Sequence, residues 1–254
     1  MGGLPSLINT SLPASKTDKP AALPPSLEQE VTETVPASGE LPYWQVNVPA
    51  DQRKTDCPDF LRDITGRNRD IIRVPISQFR YQTWEEVKTL IDTDKIDRFR
   101  RAPTDHRKYL AYMNFIANAY GSILNFVQER RLKWTDLTPV GAPFTNPDDV
   151  KIIYNDWPYG IDPQIVHLCV WTKFELTDDQ KTERLTPKAR QEIDDYVNKT
   201  FRSKVPADQV RWFKNWANLK SIHSMEHFHV LLFNPDMDFI KEITSDDVPL
   251  SRLL

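Results

Sequence analysis

Glu226-His227-Phe228-His229-Val230-Leu231-Leu232-Phe233 is a short run of aromatic, β-branched and aliphatic residues that closes at Asn234-Pro235-Asp236. Its length, composition and boundary predict a β-strand. Side chains alternate along a strand, so Met225, His227 and His229 share one face. Glu226, Phe228 and Val230 share the other. Residues 150–155, 165–171 and 210–214 are three further runs of the same kind, each bounded by Pro, Gly, Asn or Asp. Between them lies one helix: Thr186 caps it, Pro187 sits in its first turn, and Ile193, Tyr196, Val197 and Phe201 form its buried face.

Upstream of the strands the chain reads as helical. Thr83-Trp84-Glu85-Glu86 is a capping box, with Val87, Leu90 and Ile91 following at helical spacing. A longer helix is expected from Thr104, after Pro103, to about Arg131. Its stripe is Tyr109, Tyr112, Met113, Ile116, Tyr120, Ile123, Leu124 and Val127. Helices first, then a mostly antiparallel sheet crossed by one helix, make the fold class α+β.

Residues 1–42 hold no aromatic residue and seven of the 20 prolines, among Ser, Thr, Ala, Lys and Glu. Such a stretch buries too little apolar surface to offset the entropy of ordering, so a disordered tail is expected there. All 7 Trp and all 8 Tyr lie beyond it, and 43–254 reads as a single α+β domain.

The 254 residues carry 33 basic and 36 acidic side chains, net −3, which gives no strong nucleic-acid signal. No run reaches the ~18 apolar residues of a transmembrane segment, and no secretory leader is seen. Cys57, read as a loop thiol, and Cys169, inside an apolar run, form no disulfide framework, so a reducing compartment is expected. Met1-Gly2-Gly3-Leu4-Pro5-Ser6 fits the N-myristoylation template at Gly2, a weak pattern.

Three of the five histidines lie within 221–229. The pair His227 and His229 on one strand face admits three readings: metal ligands, a nucleophile with a helper, or structure. A second stretch, Asn155-Asp156-Trp157-Pro158-Tyr159-Gly160, breaks from a strand into a turn. There Asp156 is placed to accept hydrogen bonds from ligand hydroxyls, or simply to start the turn. His167 and Lys173, on the next strand, are read as phosphate or carboxylate contacts. A metal set of His167, His227, His229 and Asp156 is a weaker alternative that no motif enforces; no metal is assigned and any cofactor is unknown. Trp157, Trp171, Trp212 and Trp216 are read as core or as the wall of a pocket that stacks a base or sugar. The chain has no Gly-rich phosphate loop, no Gly-x-Ser-x-Gly elbow and no cysteine placed as a nucleophile.

From residue 41 almost to its end, the chain resembles the fungal N-acetylglucosamine-induced protein family, whose conserved domain has no assigned function. The carrying motifs are Asn155-Asp156-Trp157-Pro158-Tyr159-Gly160, the run from His167 to Lys173, Trp212-Phe213-Lys214-Asn215-Trp216 and Glu226-His227-Phe228-His229-Val230. The resemblance implies a fungal intracellular protein, cytoplasmic with the nucleus as a second location, tied to amino-sugar or stress responses. A more distant likeness is to histidine-triad proteins, nucleotidyl hydrolases and transferases. Asp156 and Pro158, then His167, Val170 and Lys173, then Asn215 or Asn218, then His227 and His229 follow that family's order. Carried over, His227 is the nucleophile toward an α-phosphate, His229 stabilises its charge and Asp156 contacts ribose. Met225 departs from the pattern at the first triad position. The expectation is therefore a protein that binds or processes a nucleotide or phosphorylated sugar, with Asn155, Asp156, His167, Lys173 and Asn215 around the ligand. The alternatives are a non-enzymatic regulatory or stress-response interaction protein, or an accessory protein of a metabolic pathway.

Overall fold

The computed structural model describes residues 41–216 and 225–253. Four strands, β1 (Val150–Tyr154), β2 (Ile165–Thr172), β3 (Val210–Phe213) and β4 (Glu226–Phe233), form one antiparallel sheet in the order β1-β2-β4-β3. Each falls on a run expected from the sequence. β4 is inner, and its register sets Trp171 beside His227, Cys169 beside His229 and Leu231 beside His167. Phe213 of β3 flanks His229 from the other side.

Among the described residues, seven α-helices accompany the sheet: α1 (Asp59–Arg62), α2 (Gly66–Ile72), α3 (Trp84–Asp92), α4 (Pro103–Tyr120), α5 (Ile123–Phe126), α6 (Pro187–Val197) and α7 (Met237–Thr244). The α+β class is as expected. The capping box forms: Thr83 Oγ1 accepts the Glu86 amide, and Glu86 Oε2 accepts the Thr83 amide at 2.9 Å. Thr186 caps α6 by accepting the Ala189 amide at 3.2 Å.

Alternation along the strands sends each side chain to one of two cores. Leu168, Val170, Phe228, Val230 and Leu232 pack against Ile193 and Val197 of α6, Phe201 and Ile240 of α7. On the opposite face Ile153, Cys169, Trp171 and Met225 meet Tyr112 and Ile116 of α4 and Phe126 of α5. Further along that face, Leu231 and Phe213 meet Val87 of α3 and Phe99. Each such side chain contributes ~1.5–3 kcal/mol when fully buried. The histidines share the second face, under α4.

Three expectations need correction. The helix expected over 104–131 is interrupted: Gly121 adopts φ +74°, a left-handed conformation that ends α4, and Ser122 starts α5 by accepting the Asn125 amide at 3.0 Å. α5 then widens into a π-helical turn at Val127–Leu132. The apolar stripe continues through this break, so periodicity alone did not reveal it. Cys57 is buried, with its sulfur 3.3 Å from the Tyr43 hydroxyl; it and Cys169 are both free thiols. Pro42, assigned to the tail, is buried and heads the 3-10 turn Tyr43–Gln45. The rest of the expected tail with Gly2, and also Asn218 and His223, lie outside the described residues. Among the described residues, no helix is long and apolar enough to cross a membrane.

Candidate functional site

Between α4 and the histidine face of the sheet lies a cavity of about 400 Å³. Tyr109 and Met113 of α4 form one wall. Asn155, Trp157 and Tyr159, in the turn after β1, form a second, and Trp171, His227 and His229 line the sheet side. The turn is held locally: Asn155 Oδ1 accepts the Trp157 amide at 3.0 Å, and the Asn155 amide donates to the His167 carbonyl at 2.9 Å. This extends the β1–β2 ladder by one residue and brings Asn155 beside His167.

Four of the residues singled out in the sequence converge on one buried network. His229 Nδ1 lies 3.0 Å from His167 Nε2, and His229 Nε2 lies 3.1 Å from the Asn215 side-chain nitrogen. An amide N–H only donates, so His229 Nε2 accepts, and the proton of its neutral ring sits on Nδ1 and is given to His167. The Asn155 amino group rests 3.1 Å from His167 Nε2 and 3.4 Å from Nδ1, and Asn215 also hydrogen-bonds the Tyr159 hydroxyl. Burial holds His167 down at about 3 and His229 well below the ordinary histidine range, with the Arg101 charge adding to both. Both rings are neutral. With both of its nitrogens engaged by protein, His229 serves better to fix Asn215 and His167 than to meet a phosphate.

His227 lies next to this network, its ring 5.3 Å from that of His229 and stacked on Trp171 at 4.2 Å. Its Nδ1 faces the Met225 carbonyl oxygen at 3.5 Å.

Asp156 also lines the cavity, but its carboxylate is taken up by protein, and Lys173 is placed elsewhere. Asp156 pairs with Arg131 at 2.8 Å and accepts the Leu250 amide at 3.0 Å, so its carboxylate is committed to protein. Burial raises its pKa to about 6 in spite of Arg131. Lys173 follows the far end of β2, its ammonium 5.5 Å above the Trp134 ring. It does not line the cavity. Among the described residues, no group of three His, Cys, Asp or Glu side chains converges as a metal-binding set. The alternative metal set fails because Asp156 turns toward Arg131.

Trp157 and Trp171 line the cavity, whereas Trp212 donates to Asp194 beside α6 and Trp216 donates to Asp94. The sequence reading missed Arg67, Arg100, Arg101 and His106, which complete the cavity wall. Arg101 donates Nε to the Trp157 carbonyl at 2.8 Å and stacks 4.0 Å above Tyr109. His106 is buried with Nε2 3.0 Å from Asn68 Oδ1, so Nε2 donates and Nδ1 bears the lone pair. The local signal was Arg98-Phe99-Arg100-Arg101 immediately before Ala102-Pro103, a basic run at a helix start.

Comparison with known proteins gives the family of the chain. Residues 83–233 match the family described as "Protein of unknown function (DUF3605)". N-acetylglucosamine-induced protein 1 of Candida albicans is 28% identical over 184 residues, 64% of this chain and 72% of that protein. An uncharacterized protein of Saccharomyces cerevisiae is 26% identical over 190 residues, 71% of this chain and 94% of that protein. A solved structure, the crystal structure of HTC1, superimposes with a TM-score of 0.55 at 25% identity, covering 65% of this chain and 96% of that one. Every motif that carried the resemblance lies inside the matched segment. The chain therefore belongs to the DUF3605 family of unknown function, alongside its fungal relative N-acetylglucosamine-induced protein 1.

Proposed function

We propose that this protein binds a small phosphate-bearing molecule, a nucleotide or a phosphorylated sugar, in the cavity between α4 and the His227 face. The observation that carries the reading is a set of three buried polar atoms in the cavity wall without a hydrogen-bond partner. They are the indole N–H groups of Trp157 and Trp171 and Nδ1 of His106. A buried polar group left unpaired costs ~1–3 kcal/mol, so two donors and one acceptor on residues that line one cavity favour a ligand rich in hydroxyl or oxo groups. The rings of Tyr109, Tyr159 and Trp171 offer stacking surface, worth ~1–3 kcal/mol per base, and about 400 Å³ suits a molecule of this size. The walls come from both halves of the chain, which supports treating 43–254 as one domain. Two free, buried thiols support a reducing compartment, the cytoplasm or nucleus.

Calorimetric titration with nucleoside monophosphates and with hexose and N-acetylhexosamine 6-phosphates tests this. One of the two classes is expected to bind in the micromolar range, about tenfold more weakly to Trp171→Phe, which keeps a ring and loses the donor. No binding by either class overturns the proposal.

A second reading, turnover at His227, has its own support. The Met225 carbonyl beside Nδ1 favours the tautomer protonated there, with the lone pair on Nε2, the form of imidazole that attacks phosphorus as the bond to the leaving group breaks. Product formation by the wild type and not by His227→Ala supports it. Binding without turnover leaves a ligand-binding protein.

A further inference from the structure

The cavity under α4 shares part of its wall with a second cavity of about 490 Å³. Arg67, Arg100 and Arg101 line both. Arg67 comes from α2, while Arg100 and Arg101 immediately precede Ala102, the N-cap of α4.

The guanidinium groups are anchored by carbonyl oxygens. Arg67 donates to the Asp97 carbonyl at 2.8 Å, and Arg100 donates to the same carbonyl and to that of Phe99 at 2.9 Å. Arg101 donates Nε to the Trp157 carbonyl. No carboxylate pairs with any of the three among the described residues. Two stand near: the Asp97 charge acts on Arg100, and Asp70 rims the second cavity while bonded to Arg73. Carbonyl anchors hold the geometry without neutralising it, so the junction carries a concentrated positive charge. Its effect reaches the neighbours, since all three arginines help push His106 down to about 3, and Arg101 acts on His167 and His229. The start of α4, with no side-chain cap at Ala102, favours negative charge, part of which Asp105 in its first turn already supplies.

We infer that Arg67, Arg100 and Arg101 form an anion subsite at the junction of the two cavities, where they take the phosphate group of the ligand. Its ring or sugar body then lies toward Trp157, Trp171 and His227. The inference rests on the cavity being a ligand site and fixes the direction in which the ligand lies. Phosphate at the mouth leaves the neutral histidines beside the uncharged end. It also moves the phosphate contact from Lys173 to arginines, whose planar forks suit phosphate oxygens.

The test is titration of the full chain with inorganic pyrophosphate by calorimetry at low and at physiological salt. Wild type is expected to bind, more weakly at high salt. Arg67→Ala, an exposed position, is expected to weaken binding about tenfold and Arg67→Glu to abolish it, with melting temperatures unchanged. Lys173→Ala is expected to have no effect. Pyrophosphate binding that is absent, or that is insensitive to Arg67→Glu, overturns the subsite. A phosphorylated sugar or nucleotide that binds wild type and Arg67→Glu equally overturns the subsite and leaves ligand binding standing. Arginine-dependent pyrophosphate binding with no binding of either phosphorylated class supports the subsite and removes the proposed function.

Discussion

Asp156 presents both carboxylate oxygens to Arg131, at 2.8 and 2.9 Å. Arg131 turns its remaining donors to Asp247, at 2.8 and 2.9 Å, and Asp247 also accepts the Tyr154 amide. One guanidinium thus ties the π-helical turn after α5, the end of β1 and the C-terminal segment, where Asp156 also accepts the Leu250 amide. Two carboxylates share one cation in a buried place, so one negative charge is left in excess.

That excess has a pH signature. Burial raises Asp156 from 3.8 to about 6, more than Arg131 lowers it. Below pH 4 the group is protonated whether the chain is folded or not. Between about pH 4 and 6 the unfolded chain loses the proton first, so this group's contribution to stability falls as pH rises and is flat above 6. The shift corresponds to ~3 kcal/mol. Asp156→Asn removes the titration, so its unfolding free energy relative to wild type is expected to rise by about that amount between pH 3.5 and pH 7. Urea denaturation at the two pH values measures it, and a constant difference would remove the assignment.

The histidines act in the opposite direction. His106 and His167 are held at about 3, and His229 well below 6.5, by burial and by Arg101. All three stay neutral in the folded protein and take up protons when it unfolds, so their contribution is present above about pH 6.5 and is lost as pH falls. Near pH 5 they account for about three protons bound on unfolding, and Asp156 for about one released. The net is about two, or ~2.7 kcal/mol of stability per pH unit. Chemical denaturation from pH 5 to 6 is expected to show a positive slope of that size, reduced by about half in His167→Gln.

The elements of this fold were legible where the signal was local. Residues 226–233 alternate between two faces and stop at Asn234-Pro235, and Thr83 and Thr186 mark helix starts with side chains that satisfy backbone amides. Part of the site was legible for the same reason, since Asn155, His167 and His229 are neighbours through strand register alone. What escaped notice depends on tertiary partners. Asp156 meets Arg131 and Asp247, which are distant in the chain, and Arg67 joins Arg100 and Arg101 only when α2 packs on α4. No spacing rule joins those positions. Lys173 was read as a ligand contact from its strand position and a motif order, and it does not line the cavity.

Gly121 marks the one place where the helical pattern misled. With φ at +74° and no atom nearer than 3.9 Å to an added Cβ, its requirement is for backbone conformation and not for space. Gly121→Ala is expected to cost ~1–2 kcal/mol, and Gly121→Asn less, because asparagine tolerates the left-handed region. Unchanged stability in Gly121→Ala would mean that α4 runs on without this turn.

Gly160 imposes the opposite kind of requirement. A Cβ there would overlap the Phe79 ring and stand 3.2 Å from the Ala102 nitrogen. Its amide donates to the Arg100 carbonyl at 2.7 Å, and its carbonyl accepts the Gln82 amide at 3.0 Å. The turn after β1 is therefore pressed directly against the segment that carries Arg100 and Arg101. Gly160→Ala must push that segment away, which is expected to cost ~1–3 kcal/mol as an overpacked contact. The displacement should also weaken pyrophosphate binding severalfold at temperatures where the variant remains folded. Gly66, with nothing within 4 Å of an added Cβ, is the control, and Gly66→Ala is expected to change neither property. A Gly160→Ala protein as stable as wild type, with the same pyrophosphate affinity, would show that Phe79 yields and that the arginines do not depend on this turn.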